Sequence, residues 1–180
     1  MLAAAPDGYR GAVLNDIGPV VEASGLARIA GYVGKGVPVA NWHEAAAAVR
    51  ASHVDAFPDY AEADWIAFAR RLYRERDDDM LELDYDPAIA QPFNASQSNA
   101  GQTSAVPPDL WGVFDAMGRT PLLVIRGALS DILSADTVAD MRRRRPDLES
   151  VEVPRVGHAP TLAEPQALAA IERFIARVAD

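Results

Sequence analysis

Two short β-branched runs in the last third of the chain, each followed by a helical pattern, constrain its fold more than any other feature. Pro121 to Arg126 (PLLVIR) and Leu148 to Val153 (LESVEV) have strand length and are bounded by Pro and Gly. Runs of this kind suit strands covered on both faces of a parallel sheet. Between them a helix is expected from Ala135 to Arg145, with Ser134 or Asp136 as its cap and Pro146 as its stop. After the second run, Leu168, Ile171, Phe174, Ile175 and Val178 recur at helical spacing over Pro165 to Val178. Strand–helix–strand–helix is a crossover pattern, so the expected class is α/β, with a parallel sheet and flanking helices. A third run, Gly11 to Asn15 (GAVLN), ends at Asp16 and supplies a third strand.

The stretch between the first and second strands differs. Helical patterns cover Asn41 to Ser52 and Ala61 to Arg76. A polar, Pro-punctuated passage then runs from Asp77 to Pro108, and a helix follows at Asp109 to Met117. About 100 residues without a clear strand read as a helical excursion of the kind that forms lids in α/β enzymes. The expected organisation is therefore a core of residues 1–18 and 119–180 with a helical cap of residues 19–118.

Composition removes several classes of function. The 180 residues allow one domain or slightly more. With no cysteine, disulfides, Cys-based zinc sites and a thiol nucleophile are excluded. A net charge of −9 argues against nucleic acid and anionic membranes as partners. No apolar run approaches the roughly 18 residues of a spanning helix. The start, MLAAAPDGYR, lacks the basic residues of a signal peptide, so a cytoplasmic location is expected. A single lysine, Lys35, among 17 Lys and Arg, together with abundant Ala, points to a GC-rich bacterial genome. No cofactor or metal is expected. His43 and His53 are not an i, i+4 pair, and with Asp55 and Asp59 they read as solvated surface. Asp77 to Asp79 reads as a solvated turn, Arg142 to Arg145 as the basic end of a helix, and Trp65, Phe68 and Leu72 as a packing face.

Two loops can carry chemistry. Asp131 follows the second strand and His158 follows the third, so both fall at the sheet edge where α/β proteins place their ligands. A carboxylate on one ring nitrogen fixes the tautomer and leaves the other to accept a proton. Asp131 and His158 thus form a candidate general-base pair in need of a nucleophile.

The ordered segments LNDIGP (Leu14 to Pro19), PLLVIRGALSDIL (Pro121 to Leu133) and VGHAPTLAEP (Val156 to Pro165) resemble the C-terminal half of the α/β-hydrolase fold family. The resemblance implies a partial α/β-hydrolase fold with about three parallel strands, Asp131 as triad acid, His158 as triad base and residues 19–118 as cap. Some members of the family carry the acid where Asp16 stands, but Asp131 matches its loop better and Asp16 is read as structural. The family's nucleophile sits in G-x-S-x-G, and none of the eight serines here lies in that context. Met1 to Pro6 resembles the tail of the helix that follows the nucleophile. The expectation is thus a truncated hydrolase of esters, lactones or similar bonds, inactive alone, whose intact relatives take a small-molecule substrate. An Asp nucleophile in the missing part would serve a dehalogenase-like relative. The alternative is a non-catalytic binding or interaction module that self-associates through an exposed sheet edge.

Overall fold

The computed structural model describes residues 4–5, 8–92 and 110–179. In chain order its elements are β1 (Ala12–Asn15), α1 (Ala23–Tyr32), α2 (Trp42–His53), α3 (Glu62–Leu72), β2 (Tyr73–Glu75), β3 (Leu81–Leu83), a single 3-10 turn (Pro87–Ala90), α4 (Trp111–Asp115), β4 (Leu122–Gly127), α5 (Ala135–Arg144), β5 (Glu149–Val153) and α6 (Pro165–Ala179). The chain divides into two compact units, residues 1–26 with 106–180, and residues 27–105.

The first unit is built on a parallel sheet of order β1–β4–β5. Ala12 to Asn15 pair with Leu122 to Ile125, and Leu123 to Gly127 pair with Glu149 to Val153. The apolar run of β4 makes it the central strand: Leu122, Leu123, Val124 and Ile125 are all buried. Alternation along the strand sends these side chains to both faces. Leu122 and Val124 pack with Phe114, Leu133, Met141 and Leu148. α6 lies against β4 and β5 and buries Ala167, Ala170 and Phe174. α5 begins where Ser134 Oγ accepts the N–H of Thr137, and ends before Pro146. Its basic end is engaged: Arg144 lies 4.1 Å over the Trp111 ring, and Arg145 pairs with Asp147 at 2.8 Å.

In the second unit, α2 and α3 pack against each other. Asn41 caps α2 by accepting the N–H groups of His43 and Glu44. Phe57, Tyr60, Trp65 and Phe68 form one aromatic cluster, with centroid separations of 4.6 Å for Phe57–Tyr60 and 5.1 Å for Tyr60–Trp65. Trp65 is 2% exposed, so this face is packing. Two elements here depart from the sequence reading. The helix expected to reach Arg76 stops at Leu72, and the chain continues as the antiparallel hairpin β2–β3. Its turn is the acidic run, closed by Arg76 N–H to the Met80 carbonyl at 2.8 Å, with Asp79 in the left-handed region (φ 61°). α1 also lies in a stretch where no helix was expected. Of the polar passage expected from Asp77 to Pro108, the part after residue 92 lies outside the described residues, as does most of Met1 to Pro6.

Candidate active site

Because β1, β4 and β5 are parallel, their C-terminal ends open on one edge of the sheet. Three side chains meet there: Asp16 directly after β1, Ser130 in the loop after β4, and His158 in the loop after β5. Asp16 Oδ2 lies 2.8 Å from His158 Nδ1 and accepts the Ser130 hydroxyl at 2.6 Å. Asp16 Oδ1 accepts the N–H of Gly127 at 2.8 Å. Asp16 is completely buried, whereas the His158 side chain keeps 24% of its surface exposed. An ionised carboxylate only accepts, so Nδ1 carries the imidazole proton and Nε2 holds the lone pair.

The two loops are fixed to the sheet and to each other. Leu129 N–H donates to the Val156 carbonyl and Ala128 N–H to the Val153 carbonyl, both at 2.9 Å. Asn15 Nδ2 reaches the Pro160 carbonyl at 3.0 Å, and Arg126 Nε reaches the Leu133 carbonyl at 2.8 Å. At Gly127 the two loops touch: a Cβ there would stand 2.4 Å from the Val156 oxygen and 2.5 Å from the Gly157 oxygen. Only glycine allows that approach without displacing backbone.

The sequence reading put Asp131 on the imidazole and read Asp16 as structural. In the structure the carboxylate on Nδ1 is that of Asp16. The cause is local. Ser130 N–H closes a turn onto the Gly127 carbonyl at 3.0 Å, and this turn brings Ser130, not its neighbour, to the sheet edge. Asp131 is half-buried, and its carbonyl accepts the N–H of Gly25 at 3.1 Å. Ser130 and Gly127 were not read as site residues. The G-x-x-S spacing directly after an apolar strand is the signal in the sequence that points to them.

Elsewhere, His43 is exposed and lies 3.2 Å from Glu62. His53 sits in the second unit, beside a cavity of about 720 Å³ that Tyr32, Lys35, Val39, Tyr73 and Tyr85 also line. Burial lowers the His53 pKa below 6.5; the Val49 carbonyl opposes this and the Arg28 charge adds to it. Burial, with the neighbouring Tyr85, raises the Tyr73 phenol above 10.0. Among the described residues no group of three His, Asp or Glu could hold a metal ion, and no helix is long and apolar enough to cross a membrane.

A parallel sheet with helices around it and an Asp–His pair at its strand ends defines an α/β protein with a candidate site at the edge of its sheet. The chain has the α/β-hydrolase fold and is similar to members of that family. It is 46% identical to an α/β hydrolase from Novosphingobium aromaticivorans, with a TM-score of 0.84 over 97% of this chain and 59% of that one. It is also 36% identical, over 165 residues, to a 3-hydroxybutyrate-oligomer hydrolase from Cupriavidus necator, covering 90% of this chain and 55% of that protein. The fold further matches E-2-(acetamidomethylene)succinate hydrolase, with 24% identity and a TM-score of 0.66 over 99% of this chain and 61% of that one. The chain thus spans about three fifths of the length of these relatives. No protein-family model matches it.

Proposed function

We propose that Asp16 and His158 are the acid and base of a site that hydrolyses an ester of a small organic acid. The observation that carries this reading is the 2.8 Å contact of His158 Nδ1 with the buried Asp16 carboxylate. Asp16 holds the tautomer and stabilises the imidazolium. His158 Nε2 takes the proton of the attacking hydroxyl and returns it to the leaving alcohol. The helical excursion of residues 19–118 is read as the lid of this site. Ester chemistry is supported by the similarity to the Cupriavidus 3-hydroxybutyrate-oligomer hydrolase, since oligomers of a hydroxy acid are joined by ester bonds. No serine stands in G-x-S-x-G, and the Ser130 hydroxyl is bound to Asp16, so the reading assigns the nucleophile to none of these 180 residues. It expects the chain alone to be inactive.

The test joins this chain to the part of the Novosphingobium hydrolase that it does not cover and assays p-nitrophenyl butyrate and 3-hydroxybutyrate oligomers. The chimera is expected to turn over at least one of them, and the 180-residue chain neither. In the chimera, Asp16→Asn and His158→Ala should each lower kcat by about 10³- to 10⁴-fold. Turnover that survives both substitutions removes the assignment.

A further inference from the structure

We infer that Ser130 is a positioning residue that holds the Asp16 carboxylate in the orientation the His158 imidazole requires, and thereby sets the tautomer of His158. The inference rests on the reading of Asp16 and His158 as acid and base, and adds to it a residue that touches no reacting atom.

A serine hydroxyl has one proton and two acceptor sites. The N–H groups of Ile132 and Leu133 point at Ser130 Oγ from 3.2 and 3.0 Å and occupy its acceptor side. Its single proton is left for Asp16 Oδ2, at 2.6 Å, a length typical of a hydroxyl donating to an ionised carboxylate. The loop backbone therefore dictates the polarity of this bond. Gly127 N–H holds the other carboxylate oxygen at 2.8 Å. The torsion that turns a carboxylate about its Cβ–Cγ bond is soft, so one donor on one oxygen leaves it free to swing. Two donors, one on each oxygen, stop that rotation. The third donor, His158 Nδ1, then finds Oδ2 at 2.8 Å. Without Ser130 the carboxylate hangs on Gly127 alone, and the imidazole proton is free to distribute over both ring nitrogens. The same bond rules out Ser130 as nucleophile, because its proton goes to Asp16 rather than to Nε2.

The experiment uses the ¹⁵N-labelled 180-residue chain, and reads the imidazole ¹⁵N shifts of His158 at a pH above its titration. The wild-type chain is expected to show one tautomer, with the proton on Nδ1 and a slowly exchanging Nδ1–H resonance. Ser130→Ala should lose that resonance and give mixed tautomers, and Ser130→Thr, which keeps the hydroxyl, should restore both. If Ser130→Ala loses native amide dispersion, Ser130→Cys replaces it, since a thiol still faces the loop N–H groups but donates weakly. A wild-type tautomer in the variant that folds overturns the proposal. Failure of the underlying pair looks different: there Asp16→Asn would leave the Nδ1–H tautomer in place.

Discussion

Asp16 joins complete burial to a left-handed backbone, with φ at 54°. That conformation costs a non-glycine residue roughly 1–2 kcal/mol, least for Asp and Asn. At the end of β1 it turns the chain out of the sheet while the side chain stays under the next two loops. Gly127 is the complementary residue, because its N–H binds this carboxylate and its missing Cβ admits the loop that carries His158. Gly127→Ala is accordingly expected to destabilise the protein by about 1–3 kcal/mol, through forced displacement of backbone. A urea midpoint shift in that range is the measurement; an unchanged midpoint would mean the loops yield easily. His158 was legible from its position after an apolar strand. The identity of its carboxylate was not, because Asp16 and Asp131 both stand directly beyond strand runs. Only the local turn at Ser130, which carries its hydroxyl to Asp16, decides which of them meets the ring.

At the scale of elements, the three strands of the sheet were readable because their apolar runs are short, β-branched and bounded by Pro and Gly. The hairpin β2–β3 was not. Tyr73 continues the helical spacing of Trp65 and Ala69, both buried on α3, and each hairpin strand has only three residues. What converts Tyr73–Glu75 to strand is pairing with Leu81–Leu83, extended by the bridge from Leu81 to the distant Val39. Periodicity within a window cannot contain that information. On α2, His53 gives the second unit a pH dependence. Its Nδ1 lies 3.0 Å from the Val49 carbonyl, and its ring lies 5.1 Å from Tyr32 and 5.4 Å from Phe68. Since the folded pKa is lowered, both states are neutral above 6.5 and His53 then contributes nothing to the slope. As pH falls through 6.5 the unfolded chain binds a proton that the folded unit refuses, so stability drops. Urea midpoints from pH 7.5 to 5.5 should decline less for His53→Gln than for the wild type. Parallel slopes would place the effect elsewhere.

For the whole molecule, β1 is the informative boundary. It pairs with β4 on one side, and among the described residues it has no strand partner on the other. Val13, on this strand, is 37% exposed. Strand edges of this kind pair with further chains. Sedimentation of the 180-residue chain is therefore expected to show concentration-dependent association, reduced by Val13→Lys; a monomer at all concentrations would argue against an open edge. The boundary between the two compact units after residue 26 falls within α1 and has no compositional mark in the sequence. The insertion of residues 27–105 also governs the order of assembly. Arg126 meets Glu152 across 26 residues, but Gly127 meets Asp16 across 111 and His158 meets Asp16 across 142. Closing either of the longer loops costs about 1.3–1.5 kcal/mol more in chain entropy than closing the shorter one. Contacts of such range slow folding. β4, α5 and β5 thus have the means to assemble early as a local nucleus, while β1 docks from far along the chain. The Asp16–His158 contact is then among the last bonds to form, and it reports the completion of folding.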